Sequence, residues 1–181
     1  EPNRINKARY LYILGQLLEK QTKLDSANIY FKEVVKFHRK IPREFYVNAR
    51  LKTLLYDSLD IKNKESQIIK MIDNYENEEI LDKIYYNYSM LLFSKDSISR
   101  GKNYLNKAIR ENSSDKDLLS KGYATIAKMY FQNSDNVMAG KYLDSTMSNL
   151  NKKSKQFWET QRQRKGLNQI IELENNVILY D

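Results

Sequence analysis

The sequence predicts an all-α chain built from repeated helix pairs, and three observations carry that expectation. Apolar residues recur at spacings of three, four and seven through most of the chain, the period of helices with one buried face. Only five Gly and two Pro occur among 181 residues. That is too few turn formers for a β-sandwich or barrel, but enough for helices joined by short polar loops. The third observation is self-similarity. A small residue on one helix is followed twelve positions later by a small residue on the next: Gly15 to Ala27, Ser89 to Gly101 and Ala127 to Ala139.

Taken in order, the first unit places Leu11, Leu14, Gly15 and Leu18 on one helix face. A polar turn at Gln21-Thr22-Lys23 leads to a second helix with Ala27, Phe31 and Val34 inward, and Ile41-Pro42 ends the unit because proline cannot continue a helix. The second unit is weaker. Its Ala49, Thr53 and Tyr56 are answered by Ile69 and Ile72, and its second small position falls on Glu65, so this pair is expected to pack loosely or be offset. Asn74-Tyr75-Glu76-Asn77 separates it from the third unit. There Tyr85, Tyr88, Ser89 and Leu92 are answered by Gly101, Leu105 and Ala108, around a turn at Ser94-Lys95-Asp96-Ser97. Asn112-Ser113-Ser114-Asp115 precedes the fourth unit, with Ser114 or Asp115 available as an N-cap. In that unit Tyr123, Ile126, Ala127 and Tyr130 face Ala139, Leu143 and Thr146 across Asn133-Ser134-Asp135-Asn136. The small positions are needed where two antiparallel helices approach closely.

This large-small alternation resembles the tetratricopeptide (TPR) repeat. Gly15, Thr53, Ser89 and Ala127 are separated by steps of 38, 36 and 38, slightly longer than the TPR period of about 34. The expected architecture is a TPR-like superhelix (an α-solenoid) of about four helix pairs, at residues 5–40, 41–74, 78–111 and 115–150, closed by a C-terminal capping helix within 151–181. The pattern changes after Met147, and Gln156 to Tyr180 reads as a helix with Phe157, Leu167, Ile170, Ile171 and Leu173 as apolar positions. A repeat array needs such an end piece because its last unit has no neighbour to bury it. The single Trp158 is expected to pack within this cap.

Several chemistries lack their residues. There is no Cys, which removes disulfides, thiolate metal sites and a cysteine nucleophile. The one histidine, His38, sits among Lys36, Arg39 and Lys40 with no orienting partner for base catalysis. The ligand set of a zinc site and a glycine-rich phosphate loop are both missing. The expectation is a non-enzymatic protein without cofactor or metal. The net charge of +8 is spread along the chain, with one acid-poor stretch from Asn151 to Lys165. No aromatic-basic signature of a nucleic-acid module accompanies it, so no nucleic-acid partner is expected. No apolar run approaches the roughly 18–20 residues that span a bilayer. The chain opens Glu1-Pro2-Asn3-Arg4 without a methionine, which is expected of a trimmed or processed chain whose signal or anchor lies outside it.

In stacked helix pairs the first helices line a concave wall. The template puts Arg9, Tyr12 and Gln16 there, then Arg50 and Leu54, then Lys83, Tyr86, Met90 and Phe93, and finally Lys121, Lys128 and Phe131. This basic and aromatic set suits an extended peptide carrying acidic groups or a free carboxylate.

Five segments also resemble a known family. They are Ala8-Arg9-Tyr10-Leu11-Tyr12-Ile13-Leu14-Gly15-Gln16-Leu17-Leu18-Glu19-Lys20, Phe45-Tyr46-Val47-Asn48-Ala49-Arg50, Leu81-Asp82-Lys83-Ile84-Tyr85-Tyr86, Tyr142-Leu143-Asp144-Ser145-Thr146-Met147 and Ile170-Ile171-Glu172-Leu173-Glu174. In this order the chain resembles the PorW/SprE lipoproteins of Bacteroidetes, which serve type IX secretion and gliding motility. The resemblance implies a TPR region of a periplasmic, outer-membrane-attached lipoprotein, with the lipid anchor outside this chain. Its partners would be the PorK–PorN ring and the outer-membrane translocon. The alternative is a TPR sensor or adaptor region of a cytosolic regulatory protein that binds peptides.

Overall fold

The structure, a computed structural model, describes residues 2–111 and 114–180. The described residues form nine α-helices and no strand. In chain order these are α1 (Pro2–Lys20), α2 (Leu24–Lys36), α3 (Arg43–Tyr56), α4 (Ile61–Ile72), α5 (Leu81–Phe93), α6 (Ile98–Glu111), α7 (Lys116–Gln132), α8 (Asn136–Ser148) and α9 (Lys155–Tyr180). Two 3-10 turns, His38–Lys40 and Tyr75–Ile80, join α2 to α3 and α4 to α5. Among the described residues no helix is long and apolar enough to cross a membrane. The chain divides into two compact units, Glu1–Tyr104 and Leu105–Asp181, and the division falls within α6.

In the first unit α2 packs between α1 and α3. Ala8, Ala27, Phe31, Val34, Ile41 and Ala49 are buried there together. The small-residue logic holds at Gly15, where a Cβ would stand 2.7 Å from the Phe31 ring. Gly101 is likewise covered by the Phe93 ring, with no room for a Cβ. Leu14, expected inward, is exposed, and Ala8 is the buried residue one turn nearer the N-terminus than Leu11 and Tyr12. The inward face of α1 is the one that carries Gly15 under the Phe31 ring, and Leu14 lies about 100° around the helix from it.

A second core joins Val47, Leu51, Leu54, Ile68, Ile84, Tyr88, Leu91 and Leu92 from α3, α4 and α5. Helices α3 and α4 touch over a much shorter stretch than α1 and α2 do. The inward residue of α4 is Ile68, 1% exposed, and the expected Ile69 is instead 43% exposed. This one-residue correction has a physical reason in Glu65. Standing where the repeat wants a small residue, its carboxylate receives Arg100 Nη2 at 3.1 Å and the Tyr88 hydroxyl at 3.3 Å. That interaction offsets α4 towards α5.

Three of the helix-to-helix turns are alike. Thr22, Asp96 and Ser134 all have positive φ (61°, 55° and 59°). Each lies seven residues after the small residue of its first helix. The following N–H closes back onto a carbonyl five residues earlier: Lys23 onto Leu18 at 3.0 Å, Ser97 onto Leu92 at 3.0 Å and Asp135 onto Tyr130 at 2.9 Å. This is the hydrogen-bond pattern of a Schellman helix end. The α3–α4 link has no such turn. There Asp60 caps α4 by accepting from Asn63 N at 2.8 Å.

In the second unit α8 packs against both α7 and α9. Asp115 is the N-cap of α7, accepting from Leu118 N at 3.1 Å, and Asp135 caps α8, accepting from Met138 N at 3.0 Å. Asn112 and Ser113 of the expected linker lie outside the described residues. Trp158, expected to be packed, is 53% exposed on α9, edge-on to the Phe157 ring at 5.8 Å. The half-buried ring is Phe157, which leaves Trp158 turned to solvent.

Candidate binding groove

The twelve residues predicted to line a concave wall divide between the two units. In the first unit Arg9 and Gln16 are exposed on α1, seven residues apart and so on one face. Tyr12 is half-buried, its ring against Phe31 at 5.5 Å and Phe45 at 5.9 Å. Burial, then the carboxylates Glu19 and Glu44, push its phenol up to about 12. Leu54 leaves the predicted set. It is 2% exposed in the core shared by α3, α4 and α5, because α4 is offset and buries this side of α3. Phe93 leaves it too, since its ring is engaged over Gly101. Tyr86 and Met90 are half-buried on α5, and Lys83 is ion-paired with Glu44.

Arg50 enters a small polar cleft of about 190 Å³ with Arg43, Tyr46, Gln67, Lys70 and Asn77. The arginines there already have partners. Arg43 lies over the Tyr46 ring at 5.1 Å and donates to Asn77 Oδ1 at 2.7 Å, while Arg50 donates to Gln67. His38 is exposed and stands edge-on to Tyr46 at 5.0 Å. Among the described residues no three His, Asp or Glu side chains gather in a metal-binding arrangement.

The larger cavity belongs to the second unit. A groove of about 630 Å³ is lined by Ala124, Ala127, Lys128 and Phe131 of α7, Ala139 and Leu143 of α8, and Thr160, Gln163, Gly166, Leu167 and Ile170 of α9. The α7 residues share one face by helical spacing, as do those of α9. Helix α8 forms the floor, because α7 and α9 pack against it but scarcely against each other. Small side chains account for part of the space, since Ala124, Ala127 and Ala139 all line it. Where the first hairpin fills its small-residue notch with Phe31, this one carries Leu143 opposite Ala127, four residues after Ala139. Phe131 is 54% exposed and Ile170 40% exposed, so apolar surface remains open to solvent.

Of the predicted set, Lys128 and Phe131 come together at this groove. Lys121, on the same helix, is exposed and paired with Asp117. The whole α9 wall was missed by sequence reasoning, which assigned that helix only a capping role. Gly166 was the available signal. It lies inside a 26-residue helix, where glycine costs about 1 kcal/mol relative to alanine, and a Cβ there would meet only open space. The chain matches no protein-family model and no curated protein.

Proposed function

We propose that this chain is a non-enzymatic protein–protein interaction scaffold of the TPR-like kind, with four helix pairs and α9 as the closing helix. The observation that carries the binding role is the apolar groove, an opening in an otherwise packed helical unit lined from three consecutive helices. The repeat reading draws support from the three alike turns at Thr22, Asp96 and Ser134, each in the same register to its small residues. Recurrence at one register is what a duplicated supersecondary unit produces.

The cellular setting we propose rests on the resemblance to PorW/SprE lipoproteins. In that setting the parent protein is held at the periplasmic face of the outer membrane and joins secretion components such as the PorK–PorN ring and the translocon. The test is a crosslinked pull-down of the full-length parent from its own cells. Recovery of outer-membrane secretion proteins is the expected result. Recovery of kinases, chaperones or DNA-binding proteins in their place would sink the secretion role and leave a cytosolic adaptor.

A further inference from the structure

We infer that the groove between α7 and α9 takes an acidic amphipathic α-helix from a partner protein, seated as a helix on the α8 floor. The inference rests on the scaffold reading above and names what the groove holds.

Its shape favours a helix. Ala124 to Phe131 on one wall and Thr160 to Ile170 on the other span about 10 and 15 Å at a rise of about 1.5 Å per residue, two to three turns of a helix. Small residues on the walls and floor, with Gly166 facing open space, permit the close approach that helix packing requires. An extended peptide would bring unpaired backbone N–H and C=O groups against walls whose only uncharged polar side chains are Thr160 and Gln163. A helix satisfies its own backbone, so it loses nothing there.

Charge selects an acidic partner. Between Lys116 and Ile170 the acids are Asp117, Asp135, Asp144 and Glu159, and each is occupied. Asp117 pairs with Lys121, Asp144 with Arg164 and Glu159 with Lys155, while Asp135 caps α8. Among the described residues Lys128 on the α7 wall has no ion-pair partner, and neither does Arg162, one turn before Gly166 on α9. The groove is therefore apolar at its centre, with one unpaired cation, Lys128, in its α7 wall. An amphipathic helix with apolar residues at i, i+3, i+4 and i+7 and carboxylates flanking them is its complement.

The test uses the full 181-residue chain against a displayed library of 16-residue helical peptides with apolar and charged positions randomised. Enriched peptides are resynthesised for binding by fluorescence anisotropy. Apolar i, i+3, i+4, i+7 patterns flanked by Asp or Glu are expected. Binding should weaken at least tenfold in Gly166→Leu, which fills the groove without disturbing the packing, and in Lys128→Glu, which reverses the wall charge. Gly166→Leu should melt no lower than the parent chain. Enrichment of basic or proline-containing extended peptides, or no enrichment, overturns the inference, as does binding indifferent to both substitutions. Uptake of a C16 fatty acid, or self-association abolished by Gly166→Leu, in place of peptide binding would also overturn it. The pull-down of the parent carrying Gly166→Leu separates the two ideas. Unchanged partners end the groove assignment alone, whereas an empty pull-down from the unsubstituted parent ends the scaffold reading.

Discussion

Thr22 shows how a single position holds a hairpin. A β-branched residue at φ 61° is strained, because the left-handed region costs an L-residue about 1–2 kcal/mol. The strain persists because this conformation lets the Lys23 N–H reach the Leu18 carbonyl. Thr22→Gly is expected to stabilise the chain by about 0.5–1 kcal/mol, glycine's greater unfolded freedom offsetting part of the relief. Urea denaturation measures it, and an unchanged or lower midpoint would show that Thr22 is not strained. Gly15→Ala should act in the opposite sense, losing about 1–3 kcal/mol, because its methyl meets the buried Phe31 ring. Tyr88 carries a pH signature. Burial and then Glu65 push its phenol up to about 12 from 10, with Arg100 pulling the other way. A pKa raised on folding leaves stability intact below pH 10 and removes it between pH 10 and 12, as the unfolded chain ionises first. Tyr88→Phe should therefore flatten the loss of stability across that window. An identical slope in both proteins would show that the phenol does not contribute.

At the scale of elements, α4 and α9 depart most from the expected repeat pattern. Glu65 exchanges close α3–α4 packing for a polar link to Tyr88 and Arg100, which draws α4 towards α5. Helix α9 keeps Gly166 where nothing packs against it. Gly166→Ala is expected to raise stability by about 0.5–1 kcal/mol through helix propensity. A destabilised variant would mean that the groove closes around this residue in solution. At α8 the reverse holds. Asp135→Ala removes the carboxylate that accepts from Met138 N and should lower stability by about 1 kcal/mol, with Asp135→Asn restoring most of it.

At the largest scale, the tertiary contacts among the described residues join each helix mainly to the next helix or the next but one. Such a chain opens locally, because each element depends on those beside it. Phe31→Ala removes a fully buried ring, and a loss of about 3–5 kcal/mol is expected. Hydrogen exchange should then rise through α1, α2 and α3, while α7 and α8 keep their protection. Uniform loss along the chain would show the two units to be one cooperative block.

Much of this was legible from residues alone, where local physics decides. Helix periodicity, the small positions Gly15, Ala27, Gly101 and Ala139, the polar turns and the cap of α7, narrowed to Ser114 or Asp115, all follow from side-chain size, backbone preference and hydrogen-bonding capacity within one or two turns. Lys128 and Phe131 of the groove were readable for the same reason, being exposed positions of a single helix. What composition could not supply was the relation between helices. The shift from Ile69 to Ile68 and the burial of Leu54 depend on where α4 comes to rest. The engagement of Phe93 by Gly101 and the open space over Gly166 depend on distances between elements. Local pattern sets which face of a helix is apolar. The packing of several helices sets which part of that face is covered and which is left open to a partner.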